Sequence, residues 1–506
     1  MHTTRLFSLL ALTSGIWLSG CSEPRDGASL YPDSESQRKT IRAQYIDREA
    51  AVEASMEARV AYEPKPSDET QAMTLLGEKG ETLSTAALKE KITTLLAEED
   101  AWANNVAISE LCGQYLGAAL KEGQKPGDPD YEQAISWCLE TINTAGRFAE
   151  RPGSMTRWQS INRPLIQAAY QTALLGDSRL RDQRFFAFLP LWNMHQLQPW
   201  QQIDPDNPAL DAITGSLMLQ SALYPSPDIK WWLDNVPPEP IATPLLATVE
   251  LAEAYSPPPT FGLYPQAAVM FWRSSWASGA DGLVARGSIT NAPESSENAG
   301  HVSWTAHGNQ VLIRNASETK AFALNAQPDE SETRTPQKIP PGNVLRVGDA
   351  TPQPGRATLI VRELNAIGGN LRIDASDDFL ELSLWHRDLF WTVGGEFRII
   401  DTVRYDFGER DRTSFYWHLS ASEPVKIETS RKRTIVEWDD NAIVFQGNTP
   451  LDVDQFLIPG ADGGAPHVVL CLRTIGRPHS LRLLTRVLPR ETSAMKEIAD
   501  SGSAKP

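Results

Sequence analysis

The sequence predicts an α+β multidomain protein, with an N-terminal α/α-toroid-like helical domain followed by an antiparallel β-sandwich. Three observations predict it. From about Lys39 to Tyr255, apolar residues recur every three to four positions. From Ala267 onward they alternate with polar residues or form short apolar runs. The change falls at Pro257-Pro258-Pro259, and 506 residues are enough for several domains with sizeable cores.

The chain opens with MHTTRLFSLLALTSGIWLSGC, a basic Arg5 followed by an apolar stretch too short for a comfortable transmembrane helix. Leu18-Ser19-Gly20-Cys21 resembles a bacterial lipobox, in which Cys21 carries the lipid. Residues 1–21 are therefore expected to be a lipoprotein signal peptide and residues 22–38 a flexible tether. The expected place is the cell envelope, lipid-anchored at Cys21 to the outer membrane and facing the periplasm.

Residues 39–256 form the helical domain. One helical run begins at Ile92 and resumes at Trp102, Val106, Ala107 and Leu111. Further helices are predicted at 131–147, 160–176, 183–197 and 208–224, separated by turn-forming stretches such as GQKPGDPD and DPDNP. Cys112 and Cys138 fall on adjacent helices. They either pair, as an oxidising compartment permits, or remain two buried thiols.

Residues 257–491 form the sandwich. Strands are predicted at Leu283-Val-Ala-Arg, Val311-Leu-Ile-Arg, Thr358-Leu-Ile-Val, Arg398-Ile-Ile-Asp and Thr434-Ile-Val-Glu. Gly394-Gly395 and Asp439-Asp440-Asn441 are hairpin signals. Cys471, in VVLCLRT, is a buried strand residue. Residues 492–506 are a polar, disordered tail.

Composition excludes several functions. Lys+Arg 47 against Asp+Glu 64 gives a net charge of −17, unsuited to nonspecific nucleic-acid binding. A local cluster of Arg still permits an acidic ligand. There is no GxSxG elbow, P-loop, dinucleotide fingerprint or HExxH.

Tyr264-Pro-Gln-Ala-Ala-Val-Met-Phe-Trp-Arg273-Ser-Ser-Trp276, then Gly282-Leu-Val-Ala-Arg-Gly287, resembles the opening strands of the heparinase II/III-like polysaccharide lyases. The elements Asn298–Asn315, Leu384-Trp-His386-Arg387, Ile399-Ile-Asp401 and Trp417-His418-Leu follow in the family's order. The likeness is best over 264–420, and Tyr131-Glu-Gln-Ala-Ile-Ser-Trp looks like a toroid helix.

The resemblance implies β-elimination on a uronate-containing, anionic polysaccharide. A cation or amide neutralises the sugar carboxylate, a base removes the neighbouring proton, and an acid protonates the leaving oxygen. His195, Asn207, Tyr264, His301 and His386 are the catalytic candidates. Arg273 is expected to bind uronate, and Trp192 and Trp232 to stack on sugar rings. Tyr224 and His418 are weaker possibilities. Arg273 has the competing reading of a structural tie between strand and helices, and each Trp that of core packing. His386 and Arg387 are adjacent on a strand and so face opposite sides, with His386 expected toward the site.

The family's His-x-Asp falls on Ser296-Glu297-Asn298, and its metal-binding Asp falls near Asn315. Only His386 keeps its type, and one His does not hold zinc. No metal and no other cofactor is expected. The leading expectation is a metal-independent lyase. The rival is a catalytically inactive glycan-binding or polysaccharide-export scaffold.

Overall fold

The computed structural model describes residues 83–489 apart from 98–105, 149–154, 184, 203–207, 222, 224–225, 238–256, 265–267, 289–297, 316–317, 325–335, 349, 351, 354–356, 407–412, 431, 461–464 and 477. Cys21 with its signal peptide, the tether, Asn207, Tyr224 and the tail lie outside the described residues.

The helices are α1 (Thr85–Leu96), α2 (Val106–Lys121), α3 (Pro129–Phe148), α4 (Met155–Leu174), α5 (Phe185–Gln196), α6 (Pro208–Ser221) and α7 (Pro227–Asn235). A short 3-10 turn, Pro199–Gln202, follows α5. Local chemistry sets their starts. Ser84 Oγ accepts from the Ala87 amide at the head of α1. Ser226 does the same for Ile229 at α7, with Pro227 in the first turn, where its missing N–H costs nothing. In α3, Tyr131, Ala134, Ile135, Cys138 and Ile142 recur at helical spacing and are buried against residues of α2 and α4. Cys112 and Cys138 are free buried thiols, and burial pushes the Cys112 thiol up to about 12. Of the two readings, the structure takes the thiol pair.

The sandwich begins with β1 (Phe261–Tyr264), β2 (Val269–Arg273), β3 (Gly282–Arg286), β4 (Val302–Ala306) and β5 (Asn309–Leu312). Three short strands follow, β6 (Thr319–Ala321), β7 (Gln337–Ile339) and β8 (Leu345–Val347), then β9 (Thr358–Asn365), β10 (Gly368–Asp374), β11 (Leu382–Thr392) and β12 (Phe397–Tyr405). The last are β13 (Thr413–Leu419), β14 (Lys426–Ser430), β15 (Arg433–Trp438), β16 (Asn441–Gly447), β17 (Leu451–Ile458), β18 (His467–Thr474) and β19 (Ser480–Pro489). One sheet runs β1-β2-β3-β4-β5-β13-β18-β17, with β8 also on β13, and the other runs β14-β15-β16-β19-β12-β11-β10-β9. The pairings are antiparallel, and β6 and β7 form a separate small ribbon. Both hairpin signals close turns between neighbouring strands: Gly394 (φ 62°) joins β11 to β12, and Asp439 (φ 44°) joins β15 to β16.

The sandwich core is aromatic, with Trp272, Trp304, Trp385, Trp391, Phe397 and Trp417 meeting between the sheets. Strand β2 belongs to two cores. Its Met270 and Trp272 enter the sandwich, while Val269 and Phe271 enter the helical core beside Trp192. The first sheet is thus the middle layer, with helices on one side and the second sheet on the other. Farther along its helix-facing side, the β6–β7 ribbon packs through Ala321 and Ile339 onto Tyr416, Phe456 and Cys471. Strands β4 and β5 lie between these two covers.

Candidate functional site

The seam of α5 with β1 and β2 carries a hydrogen-bonded pair. His195 Nδ1 lies 2.7 Å from the Tyr264 hydroxyl, and His195 Nε2 lies 2.9 Å from the Pro259 carbonyl. A carbonyl only accepts, so Nε2 carries the ring proton, and Nδ1 accepts from Tyr264. The imidazole lies parallel to Trp276, at 5.8 Å and 7°, with Phe271 stacked at 6.3 Å. Trp276 donates to the Pro258 carbonyl. The proline run thus supplies two acceptors to this nest.

Strand register extends the site. Tyr264 pairs with Val269, Val269 with Arg286, and Arg286 exchanges backbone hydrogen bonds with Gly300 and His301. Tyr264, Val269, Arg286 and His301 therefore form one row on the helix-facing side. Three strand spacings separate the ends of the row, about 14 Å. His301 is buried. Its Nδ1 accepts from the Asn343 amide at 2.9 Å, so Nε2 donates to Ser303 Oγ at 2.8 Å. Burial, then Arg314 and Arg286, hold the His301 imidazole well below its usual range. Arg286 and Ser303 are half-buried. The lane between the two covers thus holds cationic Arg286, with a hydroxyl oriented by a neutral histidine beside it.

His195, Tyr264 and His301 share this side of the sheet. Four other assignments require correction. Trp192 and Trp232 are 4% and 0% exposed, packed edge-on to Tyr264 and Trp276 respectively, so neither presents a face to a sugar. Arg273 is buried, and its guanidinium donates to the carbonyls of Ser275 and Leu197 and to Gln202 Oε1. It ties β2 to the segment after α5, and burial lowers its pKa to about 9. This is the competing reading, a structural tie between strand and helices. His386 lies on the outer side of the second sheet, 3.4 Å from Asp374, with two sheets between it and the helices. The alternation runs opposite to expectation: Arg387 turns inward to Asp401.

The positions that match the family's metal motif are also apart. Asn298 Oδ1 accepts from Arg314 Nε, Asn315 donates to Thr319 Oγ1, and His386 is on the far face. Among the described residues, no three His, Cys, Asp or Glu side chains come together in a way that fits a metal ion.

Arg286 and Ser303 carry the site and were missed by the sequence reading. Period two places Arg286 on the side of Val284, but its alignment with Tyr264 and His301 depends on pairing across separate strands.

The sequence matches no family model and no curated protein. The structure is similar to a heparinase III gene product, with a TM-score of 0.53 and 12% identity over 80% of this chain and 62% of that one. It is similar also to heparan sulfate lyase from Pedobacter heparinus, with a TM-score of 0.52 and 12% identity over 80% and 63%. This chain spans less than two thirds of the length of either. At this identity the likeness shows the fold, that of polysaccharide lyases.

Proposed function

We propose that this chain acts on an anionic, uronate-containing polysaccharide by metal-independent β-elimination. The helical half serves as a toroid-like wall and the first sheet as the floor. The chain is held at the cell envelope by a lipid on Cys21. The observation that carries the reading is the Tyr264–His195 hydrogen bond, on the same sheet side as Arg286.

Arg286 neutralises the sugar carboxylate and so stabilises the enolate that forms when the adjacent C–H ionises. Tyr264 passes its proton to His195 Nδ1, while Nε2–H stays on the Pro259 carbonyl. The phenolate takes the carbon-bound proton. As the bond to the leaving oxygen breaks, that proton moves from Tyr264 to the oxygen, and His195 returns its own to Tyr264. The product carries a new C=C bond in the uronate ring.

One observation favours a second reading, binding without cleavage: His195 is only 3% exposed and both its ring nitrogens are already engaged.

Incubation of the purified soluble chain with alginate, heparin, chondroitin, hyaluronan and polyglucuronate tests both. Rising absorbance at the ultraviolet edge, from the unsaturated uronate, is expected on at least one. Binding to one of them with no rise on any selects the second reading.

A further inference from the structure

The outer side of the second sheet, facing away from the seam, carries a cationic stripe along two strands, flanked by the Arg372–Asp388 pair. Strands β12 and β19 are neighbours near its middle. On its outer side, Arg398 of β12 stands directly opposite Arg486 of β19. Like charges in that relation destabilise a sheet, yet the fold keeps them. Glu396 takes Arg486 with two hydrogen bonds. Among the described residues, Arg398 has no such carboxylate. Its guanidinium leans on the Phe390 ring at 5.8 Å, and its Nε is closed to water without a hydrogen-bond partner.

At the other end of the same two strands, Arg404 and Arg482 are exposed. Arg404 pairs with Ser480 in register, which sets Arg482 diagonally across from it, about 7–8 Å away. Between the two cationic ends lie Ile400 and Leu484, opposite each other and half-buried. Arg398 and Arg404 are six residues apart on one strand, about 20 Å. A chain of net charge −17 thus gathers cations along a flat stripe with an apolar middle. A stripe of that length suits an extended chain bearing several anionic groups rather than a single small ion.

We infer that this face is a second binding surface for an anionic polysaccharide, held by Arg398, Arg404 and Arg482. The choice of polymer rests on the proposed function; the charge pattern stands independently. The face and the seam lie on opposite sides of the sandwich. One long polysaccharide is therefore retained by the stripe while another stretch of it reaches the seam, which raises avidity for long chains over short ones.

The test uses the full chain and fluorescently labelled polygalacturonate, read by anisotropy as binding and not turnover. The double variant Arg404→Glu/Arg482→Glu is expected to weaken binding about tenfold or more and to make its salt dependence shallower. Arg404→Lys/Arg482→Lys is expected to retain binding. Both pairs are exposed, and unchanged thermal unfolding shows that the fold persists. Equal affinity of the wild-type chain and the Glu pair for polygalacturonate overturns the inference. So does loss of binding only to phosphatidylglycerol vesicles. Should no glycan be cleaved while the Glu pair still loses polygalacturonate binding, the lyase reading fails and this surface stands.

Discussion

Tyr264 gives its phenolic hydrogen to His195 Nδ1 across 2.7 Å, and Gly262 makes the approach possible. A Cβ at position 262 would sit 2.6 Å from Nδ1 and 2.7 Å from Tyr264 Cε2, both atoms of rigid rings. Gly262→Ala must therefore spread the pair. The expected cost is about 1–3 kcal/mol of stability from overpacking, with loss of any glycan unsaturation. Tyr264→Phe keeps the ring and removes the proton. Its expected signature is a rate lower by about 10²–10⁴, with polysaccharide affinity retained. Thermal unfolding and the ultraviolet assay, run on both variants, check this. A Tyr264→Phe protein as fast as wild type removes Tyr264 from the mechanism.

Arg387 and Asp401 form an ion pair with both side chains out of water, Nε to Oδ1 at 2.8 Å. Arg387 Nη1 also donates to the carbonyls of Gly300 and Asn343, the residues that flank and bind His301. The pair thus reaches from the second sheet to the backbone around His301 on the first. Arg387→Met leaves Asp401 buried without its cation, which costs about 3–5 kcal/mol. Denaturant unfolding measures it. A loss below about 1 kcal/mol contradicts the assignment.

These residues show what a one-dimensional reading reaches. Period 3.6 places the helices Pro129–Phe148, Phe185–Gln196 and Pro208–Ser221 within about three residues, but starts Thr85–Leu96 and Met155–Leu174 five to seven residues late and misses Pro227–Asn235; the two hairpins fall at Gly394 and Asp439. Alternation shows that His386 and Arg387 face opposite ways. It does not show which way is inward. That depends on Asp401 across the β11–β12 pairing, and a bidentate partner makes the arginine the buried residue. Arg273 is the same case: an arginine at the head of Arg-Ser-Ser-Trp reads as a ligand from the chain alone, but Leu197 and Gln202 use its donors. No sequence pattern marks Arg286, because its row with Tyr264 and His301 assembles three separate strand pairings.

His418 and His467 form a buried chain. His418 Nε2 donates to the Pro340 carbonyl, so its Nδ1 accepts from His467 Nε2 at 3.0 Å. Burial lowers His418 to about 3, helped by His467 and Arg314, and burial lowers His467 to about 4. Both folded values lie below the ordinary 6.5. Above pH 6.5 the unfolded chain is neutral at these sites too, and the stability is fully present. As pH falls, the unfolded state takes up protons that the folded state refuses until about 4 and then about 3. Each histidine therefore steepens the acid loss by about 1.4 kcal/mol per pH unit in that window. His467→Gln keeps a donor toward His418 Nδ1 and does not titrate. Urea midpoints at pH 7, 5.5 and 4.5 are expected to fall less steeply for the variant. Parallel slopes count against the chain.

Asp378 is the opposite case. It is 1% exposed, and neither carboxylate oxygen has a hydrogen-bond partner among the described residues. Burial raises its pKa to about 8 against the pull of the Arg346 cation. The folded value is above the ordinary 3.8, so the folded state prefers the neutral acid. Below pH 3.8 the carboxyl is protonated in both states and imposes no charge penalty. As pH rises toward 8, the unfolded chain releases the proton and the folded chain keeps it, so stability drains away. Above 8 the penalty is at its full size, on the order of several kcal/mol. Asp378→Asn fixes the neutral form. It is expected to match wild type near pH 4 and to exceed it progressively up to pH 9, where the denaturant midpoint separates most. An advantage of the same size at both pH values would place the effect in packing rather than in the proton.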